Sequence, residues 1–178
     1  MAYYHPQLVH FTIALLTVGV LLRVISLAGR PAFVAPAALT LLAAGTIAAT
    51  LAVQSGTAAH GPVEQIPGAR PVVEAHETWG TRTRNVFFAV IALEAVALLL
   101  WRSPRRRMAY AASAVLGLAG MFCLYEAGEH GGELVYAYGG GVGIRSGDPR
   151  TSNGSCSQVC TTGRWLNGKP AAPARRLS

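Results

Sequence analysis

The sequence contains little charge for its length. Only 13% of its 178 residues are Asp, Glu, Lys or Arg, whereas ordinary soluble domains carry roughly 25%. Apolar residues make up 52% and the mean hydropathy is +0.37. This composition excludes intrinsic disorder for most of the chain and disfavours a water-soluble domain. It predicts a small integral membrane protein.

Several chemical signatures are also missing. Three cysteines are too few for a disulfide scaffold, and without a C-x-x-C-H motif the chain has no attachment site for c-type haem. A nucleophile elbow, a P-loop, a dinucleotide-binding fingerprint and H-E-x-x-H are absent too. The net charge is +7, but the basic residues cluster at the ends of apolar runs, which argues against a nucleic-acid partner.

Four apolar segments each approach the ~20 residues that cross a bilayer. They run from about Pro6 to Ala28, Phe33 to Gln54, Asn85 to Trp101 and Met108 to Tyr125, the last with an optional helical continuation toward Tyr138. The predicted fold is therefore all-α. A four-transmembrane-helix bundle occupies residues 1–143, and an irregular extracytoplasmic tail occupies residues 144–178.

The charges in the short connections predict the orientation. The turns between the first two segments and between the last two contain five arginines and no acidic residue. By the positive-inside rule these turns face the cytoplasm. Both termini are then expected on the extracytoplasmic side of a multi-pass protein of the inner (cytoplasmic) membrane.

This topology places every histidine on the outer side of the bilayer. Neutral imidazole is the commonest side-chain metal ligand, and two imidazoles from facing helices can hold b-type haem in a bundle. The candidate ligands are His10, His76 and His130, followed by His5, while Arg82 and Arg84 are expected near the haem propionates. His60 is interpreted as a loop residue.

Other interpretations of this layer stay open. The histidines could be purely structural groups at helix ends, or they could line a quinone pocket. Glu126, Glu129, His130 and Glu133 fall on one stripe of a continued helix. A carboxylate-rich metal site is therefore a further alternative.

Two opposite charges are expected at the same depth inside the membrane. Arg23 lies near the inner end of the first segment, and Glu94 lies a similar distance from the inner end of the third. We predict an Arg23–Glu94 ion pair. The alternative is a proton path from Glu94 to His76, because these residues share a helix face if the third helix extends that far.

The tail contains two cysteines four positions apart. If the tail lies outside the cytoplasm, a disulfide between Cys156 and Cys160 is expected. The third cysteine, Cys123, is interpreted as a small buried apolar residue.

The two ends of the apolar region resemble a bacterial family of four-span membrane proteins of unknown function. The resemblance rests on the opening His5-Pro6-Gln7-Leu8-Val9-His10-Phe11 and the closing Gly131-Gly132-Glu133-Leu134-Val135-Tyr136. It covers about residues 3–143. Where the family commonly has Pro after the Phe, this chain has Thr12. Relatives that accompany c-type cytochrome domains imply a link to electron transfer and a periplasmic c-type cytochrome as a partner.

The leading hypothesis is a non-catalytic membrane subunit of a respiratory or photosynthetic complex. It would hold b-type haem near the outer face and pass electrons between quinol and a periplasmic redox partner. The first alternative is a cofactor-free accessory subunit that packs against other subunits. The second is a membrane enzyme that depends on a His/Glu metal site.

Overall fold

The chain forms four long helices in the residues that the structure describes. This computed structural model describes residues 4–29, 31–58, 64 and 66–140, and within them it contains no strand. The helices are α1 (His5–Ser26), α2 (Val34–Thr57), α3 (Arg70–Leu99) and α4 (Arg105–Tyr136). The all-helical prediction is thus confirmed. The predicted tail, His60 and the Cys156–Cys160 disulfide lie outside the described residues.

Two helices are longer than the apolar segments that predicted them. Helix α3 begins at Arg70 rather than near Asn85, and α4 continues to Tyr136. Helices α1, α2 and α4 are long and apolar enough to cross a membrane. Helix α3 carries three charged residues, Arg82, Arg84 and Glu94, among its last 18 residues and is not in that class. Three of the four predicted spans are therefore supported by length and composition.

Proline and glycine explain where several helices start and end. Pro6 and Pro71 lie in the first turns of α1 and α3, where a missing N–H costs nothing because that group has no helical partner. The turn after α1 contains Gly29 with φ +80°, a left-handed conformation that glycine adopts without steric cost.

The helices form two antiparallel hairpins, α1–α2 and α3–α4, which pack together through α2–α3 and α1–α4. Helices α1 and α3 are therefore parallel and diagonal in the bundle. The α1–α2 and α3–α4 turns lie at one end of the bundle, which we call the turn end. The starts of α1 and α3 lie at the opposite end, which we call the histidine end.

An apolar core fills the centre of the bundle. Leu16, Val20, Leu42, Phe87 and Val90 are almost fully buried there. Small residues allow close helix packing. A Cβ on Gly45, for example, would lie only 2.6 Å from Leu16 Cδ2. The outward faces expose large apolar side chains, as expected of surfaces that contact lipid: Phe11, Leu21, Ile47, Val115 and Phe122.

Candidate functional site: two polar pairs between diagonal helices

Helices α1 and α3 contribute one polar pair at each end of the bundle. Arg23 follows His5 by 18 residues on α1, and Glu94 follows His76 by 18 residues on α3. Eighteen residues are five helical turns, or ~27 Å, so both residues of each helix share a face. The structure joins His5 to His76 and Arg23 to Glu94. The apolar core lies between these two pairs.

The His5 and His76 rings meet at the histidine end. Their centroids are 6.2 Å apart and their planes are nearly perpendicular, at 87°. Both residues are half-buried. Each ring comes from a different hairpin, so this contact also joins the two halves of the bundle.

Backbone carbonyl groups orient both rings. His5 Nδ1 lies 3.0 Å from Ala52 O on α2, and His76 Nδ1 lies 2.8 Å from Ala127 O on α4. Because a carbonyl oxygen only accepts, Nδ1 is the donor in each contact, and in the neutral ring Nε2 is then the nitrogen with the lone pair. Such a contact is how proteins commonly orient a ligating histidine.

Glycine makes room for each ring. A Cβ on Gly56 would lie 3.0 Å from His5 Cε1, and a Cβ on Gly131 would lie 3.0 Å from His76 Cε1. Ser55 adds a polar contact, since its Oγ lies 3.0 Å from His5 Nδ1. None of Ser55, Gly56 and Gly131 was predicted to belong to a site. The only signal for Gly131 is its place in the closing motif.

The predicted ligands His10 and His130 do not join this pair. His10 is exposed, and its Nδ1 donates to Pro6 O of its own helix at 2.6 Å. It follows His5 by five residues, which is about 140° around the helix, so the two histidines face different directions. His130 donates to Glu126 O of its own helix at 2.8 Å. His5 therefore replaces His10 as the partner of His76.

The acidic stripe of α4 lies on the surface of one helix. Glu129, His130 and Glu133 line an open cleft of about 520 Å³ together with Gly128 and Tyr136, all from α4. Among the described residues, no three His, Cys, Asp or Glu side chains are grouped so that they could hold a metal ion. The stripe is the surface of a single helix.

Arg82 and Arg84 contact residues of their own helix. The Arg82 guanidinium lies 4.6 Å from the centroid of the Trp79 ring. Arg84 donates two hydrogen bonds to Asn85 Oδ1, at 3.0 and 3.2 Å. Both arginines lie inward of His76 along α3, by about 9 and 12 Å.

Arg23 and Glu94 form a buried ion pair at the turn end. Their exposed fractions are 1% and 0%. Arg23 donates from Nε to Glu94 Oε1 at 2.7 Å and from Nη2 to Oε2. This two-point geometry is the strongest form of an arginine–carboxylate contact.

Every helix supplies a group to this ion pair. The Ser113 hydroxyl of α4 donates to Glu94 Oε1, and the carbonyl of Ala35 on α2 accepts from Arg23 at 3.2 Å. The Tyr110 ring of α4 lies 4.1 Å from the Arg23 guanidinium. Sequence analysis missed Ser113 and Tyr110, although both are polar residues in α4 at the depth of Glu94.

The packing between the pairs favours the ion pair over the proton path. Leu16, Val20, Phe87 and Val90 lie between the two pairs and offer no proton donor or acceptor. The buried hydroxyl of Thr83, which lies on the same stretch of α3, donates to Trp79 O of its own helix. Glu94 is thus neutralised locally by Arg23.

Comparison with known families gives one result. The model of a family described as predicted membrane protein, DUF2231, matches residues 4–143. The chain belongs to this family. The DUF2231 match spans all four helices and both polar pairs, and its description agrees with the three candidate membrane spans. No curated protein and no solved structure matches the chain.

Proposed function

We propose that all four helices, including α3, cross the membrane. Helix α1 is an apolar span, and the two polar pairs place residues 76–94 of α3 at the same depths as residues 5–23 of α1. A helix whose residues lie at the same depths as those of a membrane-spanning helix also crosses the bilayer. Pairing with Arg23 offsets the free-energy cost of placing the Glu94 carboxylate inside the membrane. Arg82 and Arg84 can extend their charged ends toward the interface.

The charge distribution supports an orientation with the turn end in the cytoplasm. Arg102, Arg105, Arg106 and Arg107 lie at that end, and the segment from Leu99 to Tyr110 contains no acidic residue. The histidine end and the connection there carry three described arginines, Arg70, Arg82 and Arg84, all of them on α3. The positive-inside rule then places the histidine end on the outer face of the bacterial inner membrane.

At this outer face, His5 and His76 would hold one b-type haem through their imidazole rings. The observation that carries this proposal is their meeting between diagonal helices, with each Nδ1 donating to a carbonyl. The two rings lie close together, with centroids 6.2 Å apart, and imidazole is a common ligand of haem iron.

Bound haem would supply a one-electron carrier close to the periplasm. The chain's own residues orient the ligands through Ala52 O and Ala127 O. This location suits exchange of electrons with quinol in the bilayer and with a c-type cytochrome outside it. The protein would then be a non-catalytic subunit of a respiratory or photosynthetic complex.

Arg82 and Arg84 are better assigned as interfacial anchors than as propionate partners. Stacking of arginine on tryptophan is favourable, and tryptophan is enriched where the hydrocarbon core meets water. The Trp79–Arg82 contact on α3 has this composition and lies inward of His76.

The test is a reduced-minus-oxidised visible spectrum of the full chain, purified in detergent from cells supplied with haem precursor. Pyridine haemochrome analysis should give a b-type signal near one haem per chain. A flat spectrum from folded protein would contradict the proposal.

A cofactor-free accessory subunit is the second candidate. The observation that favours it is that the His5 and His76 rings pack directly against each other and so join the two hairpins. In that case the purified protein is colourless, remains folded and co-purifies with other membrane subunits.

A further inference from the structure

A basic cleft opens at the turn end, away from the histidines. It has a volume of about 570 Å³ and lies between the α1–α2 and α3–α4 turns. Polar and charged side chains line it: Ser26, Ser103, Arg106, Arg107 and Tyr110. None of the described residues that line it is acidic, and the nearby Glu94 is already paired with Arg23.

The cleft is held in shape by contacts to the buried ion pair. Arg106 donates to the Tyr110 hydroxyl from Nη2 at 2.7 Å and from Nε at 3.1 Å. The same Tyr110 ring packs on the Arg23 guanidinium. Arg107 donates to Leu27 O at 3.2 Å and so connects α4 to the end of α1. The two arginines are therefore positioned by the fold rather than free on its surface.

We propose that this cleft binds the phosphate headgroup of an anionic phospholipid. Arginine donates several hydrogen bonds in a planar fork that matches phosphate oxygens. The contacts described above use only some of the N–H groups of Arg106 and Arg107. Helices α2 and α4 both begin beside the cleft, so the positive ends of their dipoles add to the attraction. Basic pockets between membrane helices on the cytoplasmic side bind such headgroups.

The surroundings favour a lipid over a soluble phosphate compound. Ile25, Phe33 and Met108 lie on the helices that border the cleft and are 48%, 67% and 71% exposed. Apolar side chains exposed at a helix end that faces the membrane can contact the acyl chains of a lipid whose headgroup occupies the cleft. A soluble anion would gain nothing from them.

The experiment is native mass spectrometry of the full chain titrated with phosphatidylglycerol or phosphatidylcholine in a nonionic detergent. Phosphatidylglycerol should bind at least tenfold more tightly. The double substitution Arg106→Gln/Arg107→Gln should weaken its binding about thirtyfold, which corresponds to about 1 kcal/mol for each arginine. The matched control is Arg102→Gln/Arg105→Gln, which removes the same charge from the same turn without touching the cleft lining.

Three outcomes would overturn the proposal. The control could weaken binding as much as the test variant, which would indicate diffuse attraction by the basic end. Phosphatidylcholine could bind as tightly as phosphatidylglycerol. Millimolar inorganic phosphate could raise the melting temperature as much as phosphatidylglycerol, which would indicate a soluble anion instead.

Two further variants keep the test valid if the double glutamine variant does not fold. Arg107→Gln leaves the Arg106–Tyr110 contact intact and should weaken binding about fivefold, or about 1 kcal/mol. Arg106→Lys/Arg107→Lys keeps both charges but loses the planar fork, so its binding should lie between that of the unchanged protein and that of the double glutamine variant. Unchanged binding in Arg107→Gln would contradict the proposal.

Discussion

The two polar pairs share a geometry but differ in their surroundings. Both join α1 to α3, and on each helix the members are 18 residues apart. Arg23 and Glu94 are buried, and all four helices contribute side chains or carbonyl groups to their contacts. His5 and His76 are half-buried, and each is oriented by a backbone carbonyl of its own hairpin.

This difference has a physical reason in a membrane bundle. A charge inside the hydrocarbon core must be neutralised and fully hydrogen-bonded, so the inner pair is enclosed and anchors the helices. Groups nearer the interface need less compensation. The outer pair is therefore less enclosed, and the proposed function assigns its two imidazoles to the cofactor.

The largest expected effect is at the inner pair. Glu94→Ala leaves Arg23 buried without its counter-charge and should destabilise the fold by about 3–5 kcal/mol. The measurement is unfolding in mixed detergent micelles followed by circular dichroism. The control is Glu74→Ala, which removes the exposed Arg70–Glu74 pair and should cost less than about 1 kcal/mol.

The double variant Arg23→Leu/Glu94→Leu refines this test. Replacing both charges with apolar side chains removes the burial penalty together with the attraction, so much of the lost stability should return. Equal unfolding free energies for Glu94→Ala and Glu74→Ala would contradict the anchoring role.

A smaller effect is expected from Ser113→Ala. Ser113 is 1% exposed and donates to the Glu94 carboxylate, and a hydrogen bond to a charged group contributes about 1.5–3 kcal/mol. Ser103→Ala at the half-buried turn is the control, measured by the same unfolding assay. If the two variants were equally stable, Ser113 would not support the ion pair.

The smallest effect concerns the outer pair. Gly131→Ala places a methyl group against His76 and should destabilise the protein by about 1–3 kcal/mol through overpacking. Gly128→Ala, three residues earlier on α4, meets nothing within 4 Å and should stabilise the helix by up to about 1 kcal/mol. Thermal unfolding of both variants tests the difference. The close approach to His76 is refuted if Gly131→Ala is as stable as Gly128→Ala.

Hydropathy predicted the helices well but not their full extent. The length of an apolar run is set by the thickness of the bilayer. Helices α1 and α2 therefore begin and end near the predicted residues. The polar residues 70–84 of α3 were not part of the predicted segment, whereas the extension of α4 through residues 126–136 agrees with the optional continuation toward Tyr138. Depth alone placed Arg23 and Glu94 together, because opposite charges inside a membrane have few other partners.

The choice among histidines could not be made from depth. His5 and His10 both lie in the outer part of α1, about 7.5 Å apart along its axis, and the rotation of α1 decides which of them faces the bundle. That rotation follows from close contacts such as Gly45 against Leu16, which the sequence pattern does not specify. The equal 18-residue spacings in α1 and α3 were the available signal, since they put His5 and Arg23 on one face.

The most direct test of the central claim is haem content across four single-histidine variants of the full chain. His5→Ala and His76→Ala should lose the b-type signal, whereas His10→Ala and His130→Ala should keep about one haem per chain. Circular dichroism and gel filtration would establish that all four variants are folded. Full haem content in folded His5→Ala or His76→Ala would contradict the claim that these two histidines hold the cofactor.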